Sequence, residues 1–275
     1  MSCLPKNPLK SGFLRFLYIK NTMTFMSETF GIRTRNIFDP ASREPFKLSR
    51  SKLELFNECA LCFYLDRRLG ISRPPMFPFT LNNAVDALMK KEFDIHRAKS
   101  SAHPLMEKYG IDAVPFTHED MEKWRANFVG IQYHHQPTNL IITGAVDDVW
   151  TDRKGNLMIV DYKATSTDQA IDMDSEYRRG YKRQVEIYQW IFRRKGFSVS
   201  DTAYFVYANG QKDRSAFDGK LEFTVQIFAH KGNDAWVEPT IVKARECLML
   251  EKRPEMNPAC TYCSYRKEAA RHPIK

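Results

Sequence analysis

The stretch "NLIITGAVDDVWTDRKGNLMIVDYKAT", residues 139–165, constrains the fold more than any other part of the chain. Two apolar runs rich in β-branched residues flank Asp152-Arg153-Lys154-Gly155-Asn156. A short loop with glycine at a left-handed position is a common hairpin connection. Closing this loop with Asp152 opposite Asn156 puts Asp147 opposite Asp161 and Lys163 opposite Ala145. Alternation puts Asp161 and Lys163 on one face of their strand. Facing side chains of an antiparallel pair have Cβ atoms about 5 Å apart, where two like charges repel. Two carboxylates held so close call for a positive charge between them. Oxygen donors of this kind suit Mg²⁺ or Mn²⁺. An ion there lowers the pKa of its bound water and polarises a phosphoryl oxygen. Lys163 is then placed to orient or help deprotonate an attacking water and to balance charge on a phosphate. The competing reading is a pair of aspartates on the solvent face of an edge hairpin.

Composition narrows what such a hairpin can belong to. The 275 residues are 43% hydrophobic with 19 Phe and 12 Tyr, enough for a sizeable core and unlike a disordered chain. With 42 Lys+Arg against 33 Asp+Glu the net charge is +9, which favours an anionic partner, nucleic acid ahead of a membrane. No apolar run approaches the roughly 18–20 residues needed to span a bilayer, so we expect no membrane partner and a cytoplasmic location. The N-terminus, "MSCLPKNPLKSGFLRFLYIKNTMTF", is basic and free of acids, but Arg15 splits its short apolar segment. It reads as a disordered tail, or as an extended start with initiation at Met23 or Met26. Residues 1–46 are therefore left outside the expected fold, and residues 47–275 form the domain.

Helical spacing runs from a Ser49 cap to Gly70, again over "TLNNAVDALMKKEFDIHR", and over "THEDMEKWRANF", which Thr117 and Asp120 open as a capping box. "RPPMFPF" is a linker by its prolines. A helical segment of about 80–136 thus precedes the hairpin. After it come a long amphipathic helix, "YRRGYKRQVEIYQWIFRRKGF", ended by Gly196, two strand-like runs, "TAYFVYANG" and "KLEFTVQIFAH", and a helix over about Asp234–Glu251. Strands alternating with helices predict an α/β (α+β) fold, a mixed sheet with helices on its faces.

"GAVDD" followed across a hairpin by "VDYKAT" resembles the G-x-x-D and D-x-K motifs of the PD-(D/E)XK nuclease superfamily, most closely the RecB-like and CRISPR-associated exonuclease-like group. The resemblance covers roughly Lys47 to Arg266 and implies a restriction-endonuclease-like mixed central sheet flanked by helices. It implies that Asp147 and Asp161 are metal ligands for Mg²⁺ or Mn²⁺ and that Lys163 is the catalytic lysine. "YKRQVEIYQW" supplies the group's Q-x-x-x-Y motif as Gln184 and Tyr188, whose i, i+4 spacing puts them on one helix face. That group commonly has a histidine ligand on an early helix; here the corresponding position holds Asp86, an adequate hard ligand, with Glu92 as the alternative.

Six cysteines stand at 3, 59, 62, 247, 260 and 263, and "CALC" and "CTYC" are paired C-x-x-C units. Such pairs point to a four-thiolate site of Cys59, Cys62, Cys260 and Cys263 for zinc or iron–sulfur. Nearly 200 residues between the pairs is unusual for a zinc ribbon and resembles the iron–sulfur subgroup of these nucleases, whose 4Fe-4S cluster staples the chain ends. That subgroup places one cysteine early and three late, whereas this chain has two and two. The other reading of "CALC" is a buried helical pair.

Arg178, Arg179, Lys182 and Arg183 enter the Gln-Tyr helix, where they could bind phosphates while interleaved tyrosines stack on unpaired bases. A solvated helix face is the alternative. The expected function is a metal-dependent deoxyribonuclease, an exonuclease on single-stranded DNA ends in repair, recombination or CRISPR adaptation, with a helicase or adaptation proteins as partners. The alternative is a non-catalytic nucleic-acid-binding module of a helicase–nuclease assembly that keeps the fold.

Overall fold

A computed structural model describes residues 32–75 and 79–272. Residues 1–31, with Cys3, and the middle of the proline-rich linker lie outside the described residues.

Among the described residues, eight strands form two sheets. The first has the order β1 (Phe46–Ser49), β4 (Leu140–Gly144), β3 (Ile131–His135), with β1 parallel to β4. The second has the order β2 (Val114–Pro115), β5 (Asp148–Thr151), β6 (Leu157–Thr165), β7 (Thr202–Gly210), β8 (Phe223–Lys231). Only β6 and β7 run parallel in it, joined through α6 (Arg179–Arg194). This is the mixed sheet flanked by helices that alternation predicts. The hairpin register is also as expected: Asp148 pairs with Val160 and Thr151 with Leu157, and Gly155 closes the loop at φ +81°.

Both faces of the larger sheet are covered. On one, Val149, Ile159, Phe205 and Tyr207 pack with Val185, Ile187 and Ile191 of α6 and with the helices α1 (Arg50–Glu58), α2 (Ala60–Arg68) and α7 (Val237–Met249). On the other, Trp150, Val160, Tyr162 and Val206 pack under Met89 and Phe93 of α3 (Thr80–Lys99) and Met106 of α4 (Pro104–Lys108). The alternation of β6 therefore divides its residues between two cores, and places Asp161 toward α6.

The structure corrects the sequence reading at several points. The helix expected from Ser49 to Gly70 is two helices, because Cys59 is extended at φ −163° and interrupts the ladder. The helix expected over 117–128 is only α5 (Met121–Arg125), and Asp120 caps it without a side-chain bond. "IQYHH" is strand β3, and α8 (Thr261–Ala269) follows α7. Residues 32–46 pack on the domain instead of standing outside it: Phe38 is buried against the ring of Phe46, and Arg33 bonds Asp66. An aromatic near a basic tail carries no period from which its burial could be read.

The first arm of the expected hairpin is broken. β4 ends at Gly144 and β5 begins at Asp148, in different sheets. The three residues between are pinned at the backbone. Tyr188 Oη donates to the Ala145 carbonyl at 2.7 Å, the Val146 amide to Trp124 at 3.1 Å, and Arg125 Nε to the Asp147 carbonyl at 3.0 Å. Gly144 is required there, since a Cβ would lie 2.4 Å from the Tyr188 ring.

Candidate active site and thiolate centre

The break delivers Asp147 to the end of the sheet, beside a cleft of about 710 Å³. Asp147 Oδ2 accepts from the Tyr162 amide at 2.9 Å, one residue beyond the ladder. Asp161 is buried behind the cleft wall, its Oδ1 accepting from Gln184 Nε2 at 2.7 Å and its Oδ2 ion-paired to Lys163. Lys163 Nζ also lies 4.8 Å from the centre of the Tyr181 ring and 3.4 Å from the Tyr162 carbonyl. Asp86 projects from α3 into the same cleft, with Gln184 and Tyr188 on its α6 wall. Asp86, Asp147, Lys163, Gln184 and Tyr188 thus line one cleft, with Asp161 held against it by two of them. Glu92 instead meets His103 at 2.8 Å and is no part of this site.

Asp147 and its neighbour Asp148 point apart. Asp148 is fully buried, bonded to Arg97, Arg125, the Tyr162 hydroxyl and the Val149 amide. It has every partner a carboxylate needs, which makes it a structural anchor and leaves Asp147 for the cleft.

Two residues of this site escaped the sequence reading. Lys90 Nζ bridges Asp86 at 2.8 Å and Asp147 at 3.2 Å, the cation that two converging carboxylates require. Its i+4 spacing from Asp86 was the available signal. Arg50 lines the cleft from the start of α1. The charges shape one another. Burial pushes the Asp161 carboxyl up to about 6, with Lys163 pulling it down and Asp147 pushing it up. Burial works against the Lys163 ammonium, but Asp161 and Asp147 outweigh it and hold its pKa above the ordinary value.

The donor set fits a hard divalent ion: the carboxylate oxygens of Asp86, Asp147 and Asp161, the last with its buried Oδ2 ion-paired to Lys163, backed by the Tyr162 carbonyl. Among the described residues, however, the carboxylates do not gather within 4.8 Å in a group of three; the cysteine quartet does.

The basic run entering α6 separates. Arg178 lines the cleft and lies over the Tyr207 ring at 5.9 Å. Arg183 is held by Glu54 in a two-pronged pair, Lys182 by Asp174, and Arg179 faces Glu176 at 3.7 Å. Helix geometry spreads consecutive residues around the axis, so one run cannot be one face.

Cys59, Cys62, Cys260 and Cys263 are all buried and their sulfurs lie within 4.8 Å of one another. Each pair straddles a helix start, Cys59 and Cys260 capping α2 and α8. Burial raises the Cys59 thiol, but bonds from the Asn257 and Cys62 backbone outweigh it and bring the pKa down to about 7. Arg73 Nη2 reaches the Cys260 sulfur at 3.6 Å. The quartet can hold a metal ion. Cys247 lies apart in the core.

The sequence model of the PD-(D/E)XK nuclease superfamily matches residues 79–267. The chain belongs to the PD-(D/E)XK nuclease superfamily, and its mixed sheet and helices are the restriction-endonuclease-like fold. No curated protein matches. A solved structure titled "Crystal structure of SSO0001" is 20% identical over 46% of this chain, with a TM-score of 0.26. The match spans half the length of that protein. No helix of the described residues is long and apolar enough to cross a membrane.

Proposed function

We propose that the protein is a divalent-metal-dependent nuclease that hydrolyses phosphodiester bonds of DNA, acting on single strands or ends. The observation that carries this reading is the convergence of Asp86, Asp147 and Lys163 on one cleft with Asp161 oriented against it by Gln184. Asp147 and Asp161, with Asp86 from the facing helix, would hold Mg²⁺ or Mn²⁺. When bound, such an ion supplies an acidified water and polarises the phosphoryl oxygen. Lys163, tied to Asp161, holds its charge where a phosphate oxygen and the attacking water would meet. Gln184 and Tyr188 are positioning residues: one fixes the Asp161 carboxylate, the other the bend that presents Asp147. Tyr177, which is exposed, and the half-buried Tyr181 give the cleft aromatic faces suited to unpaired bases.

For the thiolate site we infer a single tetrahedral ion, zinc before a 4Fe-4S cluster. Three of the six Sγ–Sγ separations are 3.5, 3.6 and 3.7 Å, and all lie within 4.8 Å. Zinc–sulfur bonds of about 2.3 Å in a tetrahedron separate sulfurs by about 3.8 Å. A cubane attaches each thiolate to a different iron and requires a wider cage.

The deciding experiment incubates the purified protein with end-labelled single- and double-stranded DNA, and RNA of the same sequence, with Mn²⁺ or with EDTA. Mn²⁺-dependent shortening of single-stranded DNA is expected. No cleavage of any substrate in Mg²⁺ or Mn²⁺ overturns the reading. Metal analysis of the same sample is expected to find one zinc per chain in a colourless protein; a brown protein containing iron refutes the zinc assignment.

A further inference from the structure

A second cavity, of about 550 Å³, opens beside the cleft and shares Arg50, Asn127, Ala145 and Tyr188 with it. Its walls carry Arg33, Lys47, Arg50, Lys52 and Arg67 and no carboxylate. Beneath it the fully buried Asp66 pairs with Arg33 at 2.8 Å, Arg67 at 3.1 Å and Lys52. One carboxylate therefore serves three cations. Lys47 donates to the Phe128 carbonyl at 2.7 Å, and neither Lys47 nor Arg50 has a carboxylate partner among the described residues. Five cations against one carboxylate leave this wall strongly positive, and Arg67 is buried in it. Fold stability gains nothing from gathering like charges so closely.

Phe128 stands on the same wall. Its side chain is 98% exposed and its backbone sits at φ +69°, a region that bulky residues rarely adopt. The turn is fixed from both sides: Gly130 donates to Ala126 at 2.9 Å, and Lys47 holds the Phe128 carbonyl. A strained backbone that presents an aromatic ring to water has no packing reason. Such positions recur where a ligand is held.

We propose that this basic groove, with Phe128 at its rim, binds the stretch of an unpaired polynucleotide strand that flanks the scissile phosphate. Its phosphates meet Lys47, Arg50 and Lys52, and a base stacks on Phe128. A duplex hides its base faces, so an exposed ring selects an unpaired strand. The proposal rests on the nuclease reading for what happens in the adjoining cleft, but the groove binds by its own residues.

Fluorescein-labelled oligodeoxyuridylate and oligouridylate, titrated with the full chain over a range of salt with no Mg²⁺ or Mn²⁺ added, test it without hydrolysis. Lys47→Gln should weaken binding and reduce the slope of log K against log salt by about 0.7, one single-strand phosphate. Phe128→Gly should weaken binding about 5- to 150-fold and leave the slope unchanged, as loss of one stacked base does. Glycine suits the positive φ, so that variant should melt no lower than the wild type, which separates lost stacking from lost structure. Phe128→Trp should restore affinity. Tighter binding of one oligonucleotide than the other identifies the sugar the groove accepts. A wild type that binds neither, or variants that match it in affinity and slope, overturns the proposal. Binding that fails in the variants, in a protein that cleaves nothing with Mn²⁺, upholds the groove and refutes the nuclease reading.

Discussion

Replacing Lys90 with methionine tests whether its ammonium occupies the place a divalent ion takes. Nζ lies 2.8 Å from Asp86 and 3.2 Å from Asp147. Burial works against its charge, yet Asp147 and Asp86 outweigh that and hold the pKa above its ordinary value. The three side chains are between a fifth and a third exposed, so solvent screens both pairs. Each then contributes as a surface pair does, about 0.2–1 kcal/mol. An ion that takes both carboxylates must break both pairs, at about 0.4–2 kcal/mol, so Lys90→Met should tighten Mn²⁺ binding by about 2- to 30-fold. Calorimetric titration of Mn²⁺ into wild type and variant measures this, and methionine keeps the stem's packing. Without metal the variant should melt lower, since Asp86 and Asp147 then repel unrelieved. Burial and the charge of Asp147 raise the Asp86 carboxyl, so it keeps its proton to higher pH than a free carboxylate and binding should weaken early as pH falls. Mn²⁺ affinity that stays equal or drops in the variant would refute the reasoning, because the ion would then be held by other ligands.

Other perturbations have equally definite outcomes. Asp161→Asn and Lys163→Ala should each abolish cleavage with the far-ultraviolet spectrum unchanged; full activity of either under Mg²⁺ removes it from the catalytic set. Gly144→Ala drives a Cβ to 2.4 Å from the buried Tyr188 ring, and should cost about 1–3 kcal/mol in denaturant unfolding along with activity. Asp66→Asn leaves three cations around a neutral group and should cost about 3–5 kcal/mol. Burial raises the Asp66 pKa, but Lys52 and Arg67 outweigh it and hold it below the ordinary value. Its stabilisation is therefore present above the ordinary carboxylate pKa and lost as pH falls from there through the lowered folded-state value, and the mutant's acid unfolding curve should be flatter in that window.

What was legible in the sequence followed from periods and short loops. The Asp152–Asn156 turn fixes the register of β5 against β6 from Asp148–Val160 onward, while Asp147 leaves that ladder at the break and meets the Tyr162 amide. The i, i+4 spacing likewise puts Gln184 and Tyr188 on one face of α6. The break between β4 and β5 was not legible, because the residues that pin it, Trp124, Arg125 and Tyr188, lie elsewhere in sequence. The basic run misled for the same reason: whether Arg183 is free depends on Glu54, 129 residues away. Cys59 broke an otherwise regular helical pattern through a backbone conformation that no propensity encodes. Phe128 and Lys90 passed unnoticed because an exposed ring and a bridging amine acquire meaning only from what surrounds them.

The thiolate centre and the cleft are joined through α1. That helix begins at Arg50, which lines the cleft, and ends beside Cys59, a span of about 13 Å for nine residues. Asn257 Nδ2 donates to the Glu58 carbonyl at 2.8 Å, so a side chain also stitches the two cysteine turns together. A metal bridging Cys62 and Cys260 closes a loop of 198 residues, and simple chain models credit so long a cross-link with about 5 kcal/mol. Cys260→Ser should therefore lower the melting temperature markedly. Its effect on chemistry should be selective, because Asp161 and Lys163 lie on β6 with Asp147 beside it, and the core on the α3 face of that sheet contains none of the four cysteines. Arg50 should lose its fixed position first, so substrate KM should rise before kcat falls, and saturating substrate should restore most of the turnover. A Cys260→Ser protein with unchanged KM and a collapsed kcat would mean that the centre supports the reacting residues themselves and not the grip on the strand.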